Sequence, residues 1–283
     1  SRAAAMFTSE SYAAGHAYKA DPGDVIIATY PKCGTTLMQQ IVHGLRTGGD
    51  MDFGEITEVV PWLETSLDMD VDVYAPQKAR PHVFKSHQSW ENVPKGAKYI
   101  YIMRDPKDVV VSFFHFFEGW MFKPGTIGLN EFVRDFLLAG TSSGAYAAHY
   151  CSWWHKRNDA DTLMLCYEDI VAGLEGTVAR VNDFTGINAS AQDVAIATRQ
   201  ANIDFMREHG TKFDDHPLRS KRNPVVNLPP SAVSTKVRSG KVGSHKAALD
   251  ETMHAHLDAL WRELLAPTTG HDSYASLRAS LAP

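Results

Sequence analysis

Residues 25–37 read VIIATYPKCGTTL. Val25 to Thr29 is a short apolar run with Pro22-Gly23 before it and Pro31 after it. Such punctuation marks a buried strand. Leu37, Ile41 and Leu45 then recur every four residues, giving one apolar face of a helix. A strand, a glycine-containing turn and a helix start make an anion site, because the first amides of a helix lack internal acceptors and point at whatever lies before it. Gly34 allows close backbone approach without a Cβ clash. Thr35 and Thr36 add hydroxyl donors, and Lys32 adds a charge on a long stem. The loop of nucleotide triphosphatases reads G-x-x-x-x-G-K-[ST], whereas here the lysine precedes the glycine and the earlier glycine is absent. Three readings are open on these letters alone: a phosphate loop, a plain turn, or a reactive thiol at Cys33, whose pKa a helix start would lower. No His or Asn partner motif accompanies Cys33.

Outward from this stretch, short apolar runs alternate with helical patterns over 283 residues. That alternation predicts a single α/β domain with a central, mostly parallel sheet flanked by helices. HVFK (82–85), KYIYIM (98–103) and LMLCY (163–167) are the further strands. After KYIYIM, Asp105 is a natural N-cap, Pro106 suits the first helical position, and Asp108 complements the helix dipole. Residues 175–184 and 250–265 read as helices, the latter amphipathic.

Hydrophobic residues make up 44% and charged residues 22%, the balance of a globular chain with a sizeable core. A net charge of −5 argues against a nucleic-acid coat, which is usually basic. Cys33, Cys151 and Cys166 are three, far apart and without a C-x-x-C pair. This argues against a disulfide framework or a cysteine zinc site and for a reducing, cytoplasmic setting. No apolar run approaches the ~20 residues of a membrane span, and SRAAAMF at the start lacks the apolar core of a signal peptide. Residues 209–246 are unlike the rest: no sustained period, four prolines, and eight Lys or Arg against two Asp, a local balance of +6. A long irregular segment in a compact domain is commonly functional, and its charge suits a mobile cover over an anion.

RDPKDVVVS (104–112) follows a strand and opens a helix. Together with TYPKCGTT it resembles the two cofactor signatures of cytosolic-type sulfotransferases, which transfer a sulfuryl group from 3′-phosphoadenosine-5′-phosphosulfate (PAPS) and leave 3′-phosphoadenosine-5′-phosphate (PAP). VFKSH (83–87), CYEDI (166–170) and VRSGKVG (237–243) fit in the same order, so the resemblance spans about residues 20–265. It implies that Lys32, Cys33, Gly34, Thr35 and Thr36 form the 5′-phosphosulfate loop, with Lys32 on the bridging oxygen. It implies Arg104 and Ser112 on the 3′-phosphate, Tyr167 beside the adenine, and Arg238, Ser239 and Gly240 in a loop closing on the 3′-phosphate. His87 matches the general base and Lys85 a second cation at the sulfuryl oxygens. The chemistry asks for these types on its own account. Charge develops on the leaving oxygen and a cation stabilises it. A neutral imidazole suits removal of the acceptor's proton. No metal is required.

The chain also departs from the family pattern. The loop position usually held by an adenine-stacking Trp is Leu37, which leaves Ile203 or Phe205 as the other adenine contact. The late R-K-G is Arg238-Ser239-Gly240, so one cation is lost, and Lys236 or Lys241 could replace it. The short dimer motif of animal members is not evident, which predicts a monomer or a weak homodimer. FFHFFEGWMF (113–122) is the most aromatic stretch. Trp62, Trp120 and Phe122 are the candidate contacts for a small hydrophobic hydroxylated acceptor: a phenol, sterol, lipid or other alcohol. The competing functions are a PAP or PAPS binder without turnover, motivated by the lost Trp and lysine, and a kinase-like phosphotransferase on the same loop.

Overall fold

The structure, a computed structural model, describes residues 4–134, 142–229, 231–232, 234 and 236–281. Val25–Thr29 (β1), Val83–Ser86 (β2), Lys98–Met103 (β3) and Thr162–Cys166 (β4) form one parallel sheet in the order β2-β1-β3-β4. Val25 lies beside Val83 on one side and Lys98 on the other, and Tyr99 lies beside Thr162. All four strands fall within a residue of their expected positions. The reason is simple: a parallel sheet is buried on both faces, so its strands are near-continuous apolar runs.

The period of two divides those runs between two cores. Ile26, Ala28, Phe84, Tyr99 and Tyr101 face one side, where Pro106–Phe117, Ser142–Trp154 and Glu251–Leu264 supply helices. Val25, Ile27, Val83, Ile100, Ile102 and Leu165 face the other, packed against Thr35–Thr47, Leu174–Thr185 and Ala191–Gln200. The expected helix starts hold. Asp105 caps its helix by accepting from the Lys107 amide, with Pro106 in the first turn, and Asp250 caps Glu251–Leu264.

Two stretches are divided in ways their letters do not show. The aromatic stretch 113–122 is split: the helix ends at Phe117, with Glu118 as C-cap, and Trp120 and Phe122 lie beyond it. The segment 209–246 holds short helical pieces, Gly210–Phe213, His216–Arg222 and Pro224–Val226. Pro217 and Pro224 sit in the first turns of the second and third pieces, and the pieces are too short for a periodic pattern to build up.

β1 sits between β2 and β3, and the chain order of the strands reverses there. In an open α/β sheet the crevice beyond the carboxyl ends of the strands at such a reversal is the natural ligand site. Lys32, Lys85, Arg104 and Tyr167 all follow or end strands at that edge.

Candidate active site

The crevice opens into a cavity of about 660 Å³. Its floor is the loop after β1. Lys32 and Gly34 both hold positive φ, 71° and 105°, which turns the chain sharply into the helix from Thr35. A Cβ on Gly34 would lie 2.7 Å from the Tyr167 ring, so only glycine allows this approach. Thr35 and Thr36 line the cavity, and the Thr35 hydroxyl is 2.6 Å from that of Thr29.

Arg104, at the end of β3, ties the floor to the wall. Its guanidinium donates to the Lys32 carbonyl at 3.0 Å and stands 4.3 Å over the Tyr167 ring. Its backbone carbonyl accepts from the hydroxyls of Tyr146 and Tyr150. It pairs with neither Asp105 nor Asp108, and its buried Nε has no partner. An arginine with a donor left over, facing a cavity, fits an anion there.

The far end of the cavity is built from β2. Trp62 pairs with Lys85 in an isolated parallel bridge, and the Lys85 amide donates to the Pro61 carbonyl at 2.8 Å. That pairing sets the indole beneath the Lys85 ammonium, 3.6 Å from the ring centroid, and edge-on to His87 at 5.1 Å. Lys32 likewise sits 3.8 Å from the ring centroid of Phe116. Burial, then the charge of Lys236, lowers Lys85 to about 8 and drives Lys32 well below the ordinary lysine value.

His87 is held from two sides. Its amide donates to buried Glu64, and its ring Nδ1 lies 2.9 Å from the Thr29 carbonyl. A carbonyl only accepts, so Nδ1 carries the proton and Nε2 keeps its lone pair. Burial, then the Lys85 charge, pushes the imidazole well below its usual pKa. It therefore stays neutral at pH 7.

Cys33 shows the opposite design. Its side chain is fully buried against the Tyr150 hydroxyl, and burial pushes the thiol up to about 12. Its side chain does not line the cavity, so the thiol reading of the loop fails on desolvation. Ser112, Leu37, Ile203, Arg238 and Gly240 do line it. Gly240 holds φ 61° directly over Ile203.

Phe205, Ser239 and Phe122 do not line the cavity. Phe205 stacks on His209 with centroids 4.2 Å apart, while Ile203 and Met206 of the same helix face inward. The Ser239 hydroxyl accepts from the Lys241 amide at 3.4 Å. Phe122 packs on Phe114 and Phe132 in the core, since the chain has turned back after Gly119.

Trp62 and Trp120 are in the cavity wall, with the Trp120 indole donating to Asn223 at 2.8 Å. Several wall residues carried no signal in the sequence. Met6 and Phe7 come from the first few residues, where Arg222 donates to the Met6 carbonyl at 2.8 Å. Glu64 and Asp215 are acidic side chains with no motif around them. Phe116 stood in the aromatic run, but only helix phase distinguishes it from its neighbours.

Comparison with known proteins agrees with this geometry. The family model described as "Sulfotransferase domain" matches residues 22–269. Sulfotransferase 1E1 of Bos taurus is 30% identical over 262 residues, covering 85% of this chain and 84% of the relative. Sulfotransferase 1C2 of Rattus norvegicus is 25% identical over 263 residues, covering 89% and 86%. Among solved structures, retinol dehydratase in complex with androsterone and the inactive cofactor PAP superposes with a TM-score of 0.72 at 21% identity, over 92% of this chain and 84% of that one. Mouse sulfotransferase SULT7A1 complexed with PAP gives 0.67 at 21% identity, over 91% and 89%. A loop whose lysine precedes its glycine, a strand-end arginine with an unpartnered donor and a family match over most of the chain lead to one conclusion: the protein is an enzyme of the sulfotransferase domain family.

Proposed function

We propose that this enzyme moves the sulfuryl group of PAPS to the hydroxyl of a small hydrophobic acceptor. The observation that carries the reading is that one continuous cavity joins a cationic anion loop to an apolar aromatic wall, with a neutral histidine between them. PAPS supplies an activated sulfuryl group on a phosphate leaving group. The amides from Gly34 onward, with Thr35, Thr36 and Lys32, receive the 5′ end. Arg104, Ser112, Arg238 and Gly240 receive the 3′-phosphate, and residues 209–246 close over it. Tyr167 offers the adenine one aromatic face, and the aliphatic side chains of Leu37, Val171, Leu174 and Ile203 do the work of the missing Trp.

His87 Nε2 takes the proton of the acceptor hydroxyl as its oxygen bonds to sulfur. Lys32 neutralises the charge left on the bridging oxygen, and Lys85 that on the sulfuryl oxygens. Trp62, Phe116, Trp120, Met121 and Phe7 wall the acceptor side. A sugar chain would want more polar partners than this wall offers. The test is transfer from radiolabelled PAPS to a panel of phenols, sterols and lipid alcohols. Labelled product from at least one hydrophobic alcohol is expected. Absence of product across the panel, with PAP still bound, would instead support a binding protein without turnover.

A further inference from the structure

The segment 209–246 brings an ion pair into the transfer end of the cavity. Lys236 Nζ pairs with the Asp215 carboxylate, and both side chains are more than nine-tenths buried. Both line the cavity beside Lys32 and Lys85. No other charge acts on Lys32 or on Lys85 as strongly as that of Lys236, and Asp215 comes second for each. The charges of the pair therefore reach both lysines, and its burial keeps it off the rim.

A carboxylate in a cavity built for an anion needs a reason. Asp215 pays a backbone cost to be there, for it holds φ 56° in the left-handed region. Its amide faces Glu55 at 3.4 Å. Burial, then the nearby charge of Asp215, raises Glu55. Burial also works against ionisation of Asp215, but Lys236 and then Lys85 overcome it and pull Asp215 down to about 2. Three lysines and Arg104 share this end of the cavity, and without a counter-ion they would repel one another while the donor is absent.

We propose that Lys236 is a third cation for the sulfonate end of the donor, and that Asp215 is the counter-ion that parks it there until the donor arrives. This rests on the PAPS reading above. On binding, sulfonate oxygens take over the partner role of the Asp215 carboxylate, and the lysine is already desolvated and in place. A structural salt bridge and a parked cation make opposite predictions. In a salt bridge, either member is equally needed. In a parked cation, losing Lys236 removes an attraction and leaves Asp215 facing the anion, whereas losing Asp215 removes only a competitor.

The experiment measures PAPS and PAP affinity by calorimetry for the wild type, Lys236→Met, Lys236→Arg and Asp215→Asn, with cooperative melting checked for each. Asn is the chosen replacement because it tolerates the left-handed backbone. Lys236→Met should weaken PAPS by at least about tenfold, as expected for a lost charged contact, and PAP, which lacks the sulfonate, by much less. Lys236→Arg should restore most of the PAPS affinity. Asp215→Asn should leave it unchanged or tighter. Equal losses in Lys236→Met and Asp215→Asn, no loss in Lys236→Met, or equal loss for PAP and PAPS would each overturn the proposal. A wild type that binds neither nucleotide would overturn the donor reading itself, a distinct result.

Discussion

Lys85 enters the cavity with its ammonium over an indole and another lysine nearby, and its pKa falls to about 8. A lysine is charged below its pKa, so the free enzyme loses this anion-binding charge as pH rises through about 8. A bound anion favours the charged form and restores it. kcat/KM for the donor should therefore fall above about pH 8 while kcat holds to higher pH, since the first reports free enzyme and the second the complex. Matching limbs in both profiles would assign the ionisation to another group. At the same scale, Lys32→Ala and His87→Ala should each cut turnover by at least ~100-fold. Cys33→Ser should leave it within about threefold, because a thiol pushed up to about 12 offers no thiolate. A dead Cys33→Ser variant that still binds PAP would reopen the nucleophile reading.

The helix Pro106–Phe117 and the loop around Gly243 are joined through one side chain that takes four hydrogen bonds. Asp108, in the first turn of Pro106–Phe117, accepts from the amides of Gly243 and His245, the Ser244 hydroxyl and the His245 ring, at 2.7 to 3.0 Å. Burial opposes its ionisation, yet the His245 ring and these amides hold the carboxyl below its ordinary value. Asp108→Ala leaves those donors without an acceptor and should cost ~2–4 kcal/mol in urea unfolding. PAP affinity should fall with it, because Arg238 and Gly240 sit in the strand of chain so released. Undiminished PAP binding beside lost stability would separate loop closure from donor binding. The sequence marked Asp108 only as a helix-dipole residue. Its long-range role was illegible because its partners lie more than 130 residues away and hydrogen-bond through their backbone as well as their side chains.

Across the whole molecule, a chain of net charge −5 gathers Lys32, Lys85, Lys236, Arg104 and Arg238 around one cavity. PAP at about a hundred times its Kd should add ~2.7 kcal/mol of stability and raise Tm by several degrees, and the rise should shrink as salt is added. A salt-independent shift would locate binding away from this cluster. The four strands and the anion loop were legible because each is local: an apolar run, a proline or glycine boundary, and a strand end. The family motifs added the charged groups that follow those ends. What escaped reading was set by packing between distant segments. Trp62 finds Lys85 through one bridge, Lys236 finds Asp215 across a proline-rich segment, and Phe122 turns into the core because its helix stops at Phe117.

Met6, Phe7 and Tyr12 line the cavity, yet they precede the stretch from residue 22 that carries the family match. The loops after the strands hang from the sheet, whereas this part of the cavity wall is an appendage clipped on by Arg222 and by Asp68, which accepts from the Thr8 hydroxyl at 2.9 Å. On the proposed reading, part of the acceptor wall thus lies outside the stretch that carries the family match, beside Trp62, Phe116 and Trp120 that lie within it. Replacing the first twenty residues would then reshape one side of that wall and leave the loop from Lys32 to Thr36 in place. A chimera bearing another member's leading segment should keep its PAP affinity and shift its ranking of alcohols.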